Sequence, residues 1–475
     1  MLTVFSLSLF LSAQAIAAEL PVLVGGIHIN EPDLDHYATA VSDSGLNTVQ
    51  VTVYSRQGVY NSTDLSFDQD RDESGVLMQI RTAHDAGLRV VLVLRTYLEH
   101  GLPENRHMWH GMIWPEDSAL PEWFSNYQEF TDWGARIAEE EGVEALIIGN
   151  ELNSMTSTTS IDEIPELYQY LLDEDRTEAV REDLIGAANA ISEDELSHLD
   201  GHIYQGLGEQ LMEEEIVRRD WVRNHPVDAD GLDGLARRRA LLDTSWRRLI
   251  AETRDVYSGP ILYGANFDQF EQVGFWDALD GIAVSAYFPL SLWNPGLYDV
   301  ECPATWGAAA LLSSKLRTDR FDQMLNGWEV AAESMERVSL ATGLSLPIYL
   351  IELGWTRHAG STVRPWSYGR VDVLETVGEV AEGESQPLTP VAWASQHLDL
   401  SERVDAIRAL REVVNRGLFP SLRGFNLWKV TTRDYHWEIE PFAVLLPTDG
   451  PDTMNIPEDR AFLREAVSLG QLLSQ

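Results

Sequence analysis

The sequence predicts an α/β protein: a (β/α)8 barrel carrying a helical, acidic insertion after its fourth strand. Three observations predict it. Eight apolar runs have the length and β-branched content of strands buried on both faces. Amphipathic helical patterns separate them, and these repeatedly end at a glycine, the residue that closes a helix in the left-handed conformation. One long stretch breaks the alternation where a barrel builds its active-site loops.

In chain order, the strand runs are "PVLVGGIHI" (Pro21–Ile29), "LNTVQVTVY" (Leu46–Tyr54), "LRVVLVLRTYL" (Leu88–Leu98) and "VEALIIGNEL" (Val143–Leu152). "PILYGANF" (Pro260–Phe267), "LDGIAVSAYFPL" (Leu279–Leu290), "LPIYLIELGW" (Leu346–Trp355) and "LRGFNLWKV" (Leu422–Val430) complete the eight. Helical patterns end at Gly87, Gly142, Gly259, Gly343 and Gly417, and "EDRAFLREAVSLGQLL" closes the chain. An open doubly wound sheet is the alternative architecture. However, no strand runs into a GxGxxG or GxxxxGK[ST] loop, so neither usual nucleotide site has support.

The insertion spans residues 155–232. From Met155 to Asp230 acids outnumber basic residues 20 to 5, and the pattern is Leu-rich and helical. It reads as a cap over one rim of the cleft, or as a solvated acidic excursion. No repeat or linker divides the rest, so residues 19–475 are expected to form one domain.

Charge narrows the partners. Lys and Arg number 34 against 76 Asp and Glu, for a net charge of −42, and the only lysines are Lys315 and Lys429. Such a surface repels nucleic acid and anionic membranes, and a neutral ligand suits it better than a polyanion. Cys302 is the single cysteine, which excludes a disulfide framework and a thiolate metal cage. The opening "MLTVFSLSLFLSAQAIAAEL" reads as a signal peptide cleaved after Ala18, although it lacks a basic residue. Export to the periplasm or medium follows, and a monomer is expected.

Residues at the carboxyl ends of barrel strands converge on one site. Those ends supply His28, Arg95, Asn150 with Glu151, Tyr287, Glu352 with Trp355, and Trp428. Glu151 and Glu352 stand out, because strands four and seven face each other across a barrel. Cleaving a glycosidic bond requires such a pair, one acid holding a proton beside the leaving oxygen and one charged nucleophile or base. Burial and a facing carboxylate are expected to raise Glu151, while Tyr287 and Arg95 would keep Glu352 ionised. Trp276, Trp293, Trp306, Trp355, Trp366 and Trp428 are candidate platforms for sugar rings.

"GNEL" and "YLIELGW" resemble the paired motifs of the large clan of retaining (β/α)8 glycoside hydrolases. "PIYLIELGWTRHAGSTVRPWSY", "FNLWK" and "IRTAHDAGLRVVLVL" are similar to glycoside hydrolase family 113, whose typical members are endo-β-mannanases. The resemblance implies Glu151 as acid/base, Glu352 as nucleophile, Asn150 on the sugar 2-hydroxyl, Tyr287 as orienter of the nucleophile and Trp428 as the floor of the cleaved subsite. It implies no cofactor. Arg95-Thr96-Tyr97 departs from the Lys-containing segment usual there. A β-glucanase, an exo-acting glycosidase and a silent glycan-binding barrel remain alternatives.

Two acidic loops bear on metal. "DQDRDESG" (Asp68–Gly75) lacks the Gly and Glu of a calcium loop, and Asp72 or Ser74 is expected to cap the following helix. "DADGLDG" (Asp228–Gly234) is similarly acidic. His107 and His110 have no obvious third ligand, so a loop role is expected for them.

Overall fold

The structure, a computed structural model, describes residues 20–99, 101–105, 109–156, 232–291, 314–363, 365–366, 371–375, 388–392, 398–448 and 454–475. The expected leader, nearly all of the expected insertion, Trp293, Trp306, His107 and most of the Asp228–Gly234 loop lie outside them.

Eight parallel strands close a barrel: β1 (Leu23–His28), β2 (Thr48–Gln57), β3 (Arg89–Leu98), β4 (Ala145–Asn150), β5 (Ile261–Asn266), β6 (Ile282–Ser285), β7 (Ile348–Leu353) and β8 (Leu422–Thr431). Each pairs with its sequence neighbour, and β1 pairs with both β2 and β8, which completes the ring. All eight lie within the apolar runs or extend them by up to three residues.

Alternation along each strand separates two cores. Leu23, Val91, Val93, Ala145, Ile147, Leu262, Ala283, Tyr349 and Ile351 pack together as the filling of the lumen. Their neighbours Val24, Val90, Leu92, Leu146, Ile148, Ile261, Ile348 and Leu350 face the outer helices instead. These are α1 (Leu34–Asp43), α2 (Gln69–Asp85), α3 (Leu120–Glu141), α4 (Leu232–Arg254), α5 (Ser314–Ala341), α6 (Leu400–Asn415) and α7 (Pro457–Leu473). Between β5 and β6 the described residues form two short 3-10 turns, Phe270–Gln272 and Trp276–Ala278, in place of a helix.

Several boundaries differ from expectation. α1 is not among the helices expected from the sequence; Asp33 caps it by accepting from the His36 amide at 3.0 Å, and Gly45 follows its end in a left-handed conformation. α2 begins earlier than the sequence suggests, because Asp68 accepts from the Arg71 amide and leaves Asp72 and Ser74 inside the helix. α4 ends at Arg254, and Gly259 does not close it. Gly87, Gly142, Gly343 and Gly417 do take left-handed backbone conformations after their helices.

Between α5 and α6 lies a sealed ion cluster. Arg320 donates to Asp399 at 2.7 Å and approaches Glu402 and Asp405 at 3.5 Å. Glu402 also accepts from the amides of Gly360 and Thr362 and from the Thr362 hydroxyl. This fixes the segment that follows β7, the strand carrying Glu352. No described helix is long and apolar enough to cross a membrane.

Candidate active site

Strict alternation would not bring Glu352 into the lumen. Tyr349 and Ile351 point inward, so the next residue should face the helices. A bulge corrects this: Val284 pairs with Leu350, but Ser285 pairs with Glu352, two residues on for one. β4 has a comparable irregularity, where Ile147 pairs with Leu262 and Asn150 with Gly264. The extra residue turns Gly149 toward Tyr127, Tyr263 and Trp246, and leaves Asn150 facing the lumen. Gly264 is needed beside it, since a Cβ there would stand 2.6 Å from Asn150 Oδ1. Glu151 then takes φ +52°, a left-handed conformation uncommon for a residue with a side chain. Consecutive residues thus both reach the cleft. Bulges at strand ends re-aim side chains in this way.

The two carboxylates meet on one guanidinium. Arg95 donates from Nη1 to Glu352 Oε1 at 3.0 Å and from Nη2 to Glu151 Oε2 at 3.3 Å. Asn150 Nδ2 donates to Glu352 Oε1 at 3.1 Å, and the Tyr287 hydroxyl to Oε2 at 2.9 Å. Asn150 Oδ1 is buried without a hydrogen-bond partner, an acceptor available to a substrate hydroxyl. His110, from a short turn after β3, brings Nε2 to 3.2 Å from Glu151 Oε2. The half-buried ring of Trp428 closes the site, with the Arg95 guanidinium 5.4 Å and the Lys429 ammonium 4.6 Å from its centre. The Trp428–Lys429 peptide is cis.

Electrostatics divide the pair unequally. Burial pushes the Glu352 carboxyl up to about 7, with Arg95 opposing and the Glu151 charge assisting. Burial also pushes Glu151 up, but the hydrogen bond and charge of His110 and the charge of Arg95 together outweigh it and leave Glu151 below its ordinary value. The directions expected for Glu151 and Glu352 are therefore reversed in the free protein, because Arg95 bears on both carboxylates while His110 reaches Glu151 Oε2. Arg95 itself is held more firmly charged: burial disfavours its charge, and the two carboxylates more than offset that. The pair retains one proton toward neutral pH.

Other candidates fall elsewhere. His28 occupies an outward position on β1, where Nε2 meets Gln79 of α2 at 2.7 Å and the ring packs edge-on against Tyr37. It belongs to the barrel–helix interface, since Leu23, Gly25 and Ile27 hold the inward places. Trp355 is also turned out, buried against Trp328 and Phe462. Trp276 is buried, with Nε1 bonded to the Phe270 carbonyl. Trp366 is exposed and stacks on Phe267 at 5.0 Å. The residue sequence reasoning undervalued is His110. It shares "HMWH" with His107, but only the folded loop brings it to Glu151, 41 positions away. Among the described residues no group of three or more His, Cys, Asp or Glu is placed to hold a metal.

The chain matches known proteins in family and in fold. The profile of Glycoside Hydrolase Family 113 matches residues 30–182 and 236–380, well over half the chain. No curated protein sequence matches it. Among solved structures, the fold is similar to the GH113 β-mannanase AaManA of Alicyclobacillus acidocaldarius in complex with ManMIm. That match has a TM-score of 0.52 and 14% identity, over 95% of this chain and 99% of that one. A complex structure of a GH113 β-1,4-mannanase matches with the same TM-score at 16% identity, again over 95% and 99%.

Proposed function

The chain belongs to Glycoside Hydrolase Family 113, and from that premise we propose that it hydrolyses internal β-1,4 linkages of mannan. It is a glycoside hydrolase of the retaining, double-displacement kind. One observation carries the assignment of roles: two buried glutamates, from the ends of β4 and β7, meet on a single arginine in a cleft lined by Asn150, Tyr287 and Trp428.

In the first step a Glu352 oxygen attacks the anomeric carbon. The bond to the leaving sugar breaks, its electron pair goes to the glycosidic oxygen, and Glu151 supplies the proton. In the second, the ionised Glu151 takes a proton from water, the water oxygen attacks the same carbon, and the ester to Glu352 breaks. Inversion twice gives retention. Tyr287 and Asn150 hold the two oxygens of Glu352 in line.

The reaction needs one proton on the pair, and the burial of Glu352 favours keeping one up to about 7. What must change is which carboxylate carries it. Substrate excludes water from Glu151 and favours its neutral form. Positive charge developing at the anomeric carbon favours the ionised form of Glu352. Both effects move the proton toward Glu151. The strong acidity of the sequence accords with a neutral polymer, and the apolar opening run, read as a leader, supports export.

A reducing-sugar screen over mannan, glucomannan, β-glucans and xylan tests the substrate, with mannan expected to be the best. Glu352→Ala is expected to lose turnover, and azide to restore it as a glycosyl azide of inverted configuration. Glu151→Ala should retain most activity on aryl glycosides with good leaving groups. Wild-type rates in both variants would remove the assignment.

A further inference from the structure

We propose that Tyr54 and Tyr97 form a stacking subsite for a neutral pyranose residue of the substrate chain, one sugar removed from the catalytic pair. The proposal rests on the glycan-cleaving reading above and extends it along the cleft.

β2 and β3 pair without a bulge from Thr48 opposite Arg89 to Gln57 opposite Leu98. Alternation therefore holds to their ends. Val91 and Val93 fill the lumen, so Arg95 and Tyr97 continue the inward row of β3. Their register partners Tyr54 and Arg56 continue that of β2. The outward row, with Val53, Leu94 and Leu98, is buried under helices. Where the inward rows emerge, the side chains meet water: Tyr54 is 46% and Tyr97 40% exposed.

The two rings stand 6.1 Å apart at 71° to each other, an edge-to-face corner. One ring face can lie under the C–H face of a pyranose while the other borders its edge, and both hydroxyls can bond sugar hydroxyls. The corner begins at the catalytic centre, since Tyr54 lies within reach of the charges of Arg95 and Glu352. It extends outward, because Tyr97 is two residues beyond Arg95, about 7 Å along the strand and the scale of one sugar ring. Beyond it Arg56 and Glu99 close on each other at 3.0 Å, so among the described residues the charges next to this corner are paired with each other and not left for a uronate or sulfated sugar. That pairing selects a neutral residue.

Glu151 sits on the strand between this corner and a second aromatic surface. Phe267, just past β5, stacks with the exposed Trp366. A chain running from this corner across the tip of β4 would head toward that pair. Substrate on both sides of the scissile bond is the arrangement for internal cleavage.

The test measures oligosaccharide binding by calorimetry in a Glu151→Gln background. Manno-oligosaccharides from the disaccharide to the hexasaccharide are used, with cello-oligosaccharides in parallel. Tyr97→Ala is expected to weaken the hexasaccharide about tenfold or more and the disaccharide by under about threefold. Tyr97→Phe, which keeps the ring, should stay within about threefold of its parent at every length. Tyr97→Gln serves if the alanine variant unfolds, with thermal denaturation as the check. Equal losses at both lengths, or none, overturn the subsite while leaving the mannan reading intact. Binding only of the cello series overturns the mannan reading, and the subsite is then judged on that series. If neither series binds, both fall.

Discussion

Two arginines in this molecule each gather buried carboxylates, and they are built for opposite purposes. Arg95 lies at the open end of the barrel between Glu151 and Glu352. Arg320 lies sealed between α5 and α6 among Asp399, Glu402 and Asp405. Burial raises both Glu352 and Glu402, each against the charge of its arginine, so the direction of titration does not separate the clusters. The donors do. Beside Arg320 and the Thr362 hydroxyl, Glu402 is held by two backbone amides, which cannot move without the chain. Glu352 is held entirely by side chains, Arg95, Asn150 and Tyr287, and its neighbour Asn150 keeps an unused acceptor. A carboxylate locked by backbone fixes a loop; one held by side chains can exchange its charge for a bond to substrate.

The largest expected effect breaks that comparison into opposite signs. Glu352→Gln should lower kcat by about 10⁴-fold or more, as loss of a nucleophile does. Its effect on stability should be favourable at pH 8. The folded carboxyl holds its proton to about 7, whereas the unfolded one releases it near 4.5. The associated stability is fully present below the unfolded value and is lost as pH rises through the folded one, so above that window the charge is a burden that Gln removes. Glu402→Ala should do the reverse, costing about 3–5 kcal/mol by leaving buried amides unpaired and Arg320 less compensated. Thermal denaturation of both variants at pH 5 and pH 8, beside their rates, decides it. A Glu352→Gln variant that loses stability at pH 8 would make the catalytic cluster a structural one as well.

His110 sharpens the comparison at a smaller scale. The charged and titratable groups bearing on Glu151 are Arg95 and His110, which favour its ionised form, and Glu352 and Asp268, which oppose it. Removing His110 in a His110→Ala variant should raise the Glu151 pKa. The acid is active only when protonated, so the alkaline limb of kcat/KM should move to higher pH. His110→Gln, which can keep a hydrogen bond, should move it less. An unmoved limb with a uniformly lower rate would make the histidine only a packing residue.

How much of this was legible in the sequence follows from what each feature depends on. The eight strands are continuous apolar runs, and the C-terminal ends named Arg95, Asn150, Glu151, Tyr287, Glu352 and Trp428 correctly as neighbours. Inward or outward direction was not legible. It depends on one-residue bulges, which leave no mark in hydrophobicity when the residues on both sides of the strand are apolar. Glu352 faces the lumen because of such a bulge, and Trp355, three residues on, faces α5 and α7. The charge balance of the pair was misjudged for a related reason. A ring arriving from a loop, as that of His110 does, has no periodic pattern to announce it.

The smallest expected effect tests direction by itself. His28 ends β1 as Glu151 follows β4, and strand-end position alone would give both a place in the site. In the fold its ring is committed to Gln79 and Tyr37, on the helix side of the barrel wall. Burial holds its pKa below the ordinary value, with Gln79 opposing, so a neutral ring is favoured there. His28→Leu removes the hydrogen bond and keeps apolar bulk. It should cost about 1–2 kcal/mol, from the lost bond and the unpaired Gln79 oxygen. Oligosaccharide kcat/KM should remain within about twofold of wild type, because a cost paid equally by free enzyme and transition state leaves the rate unchanged. A tenfold loss of kcat/KM with little change in stability would show instead that the ring reaches the cleft, and that the inward row of β1 runs through His28.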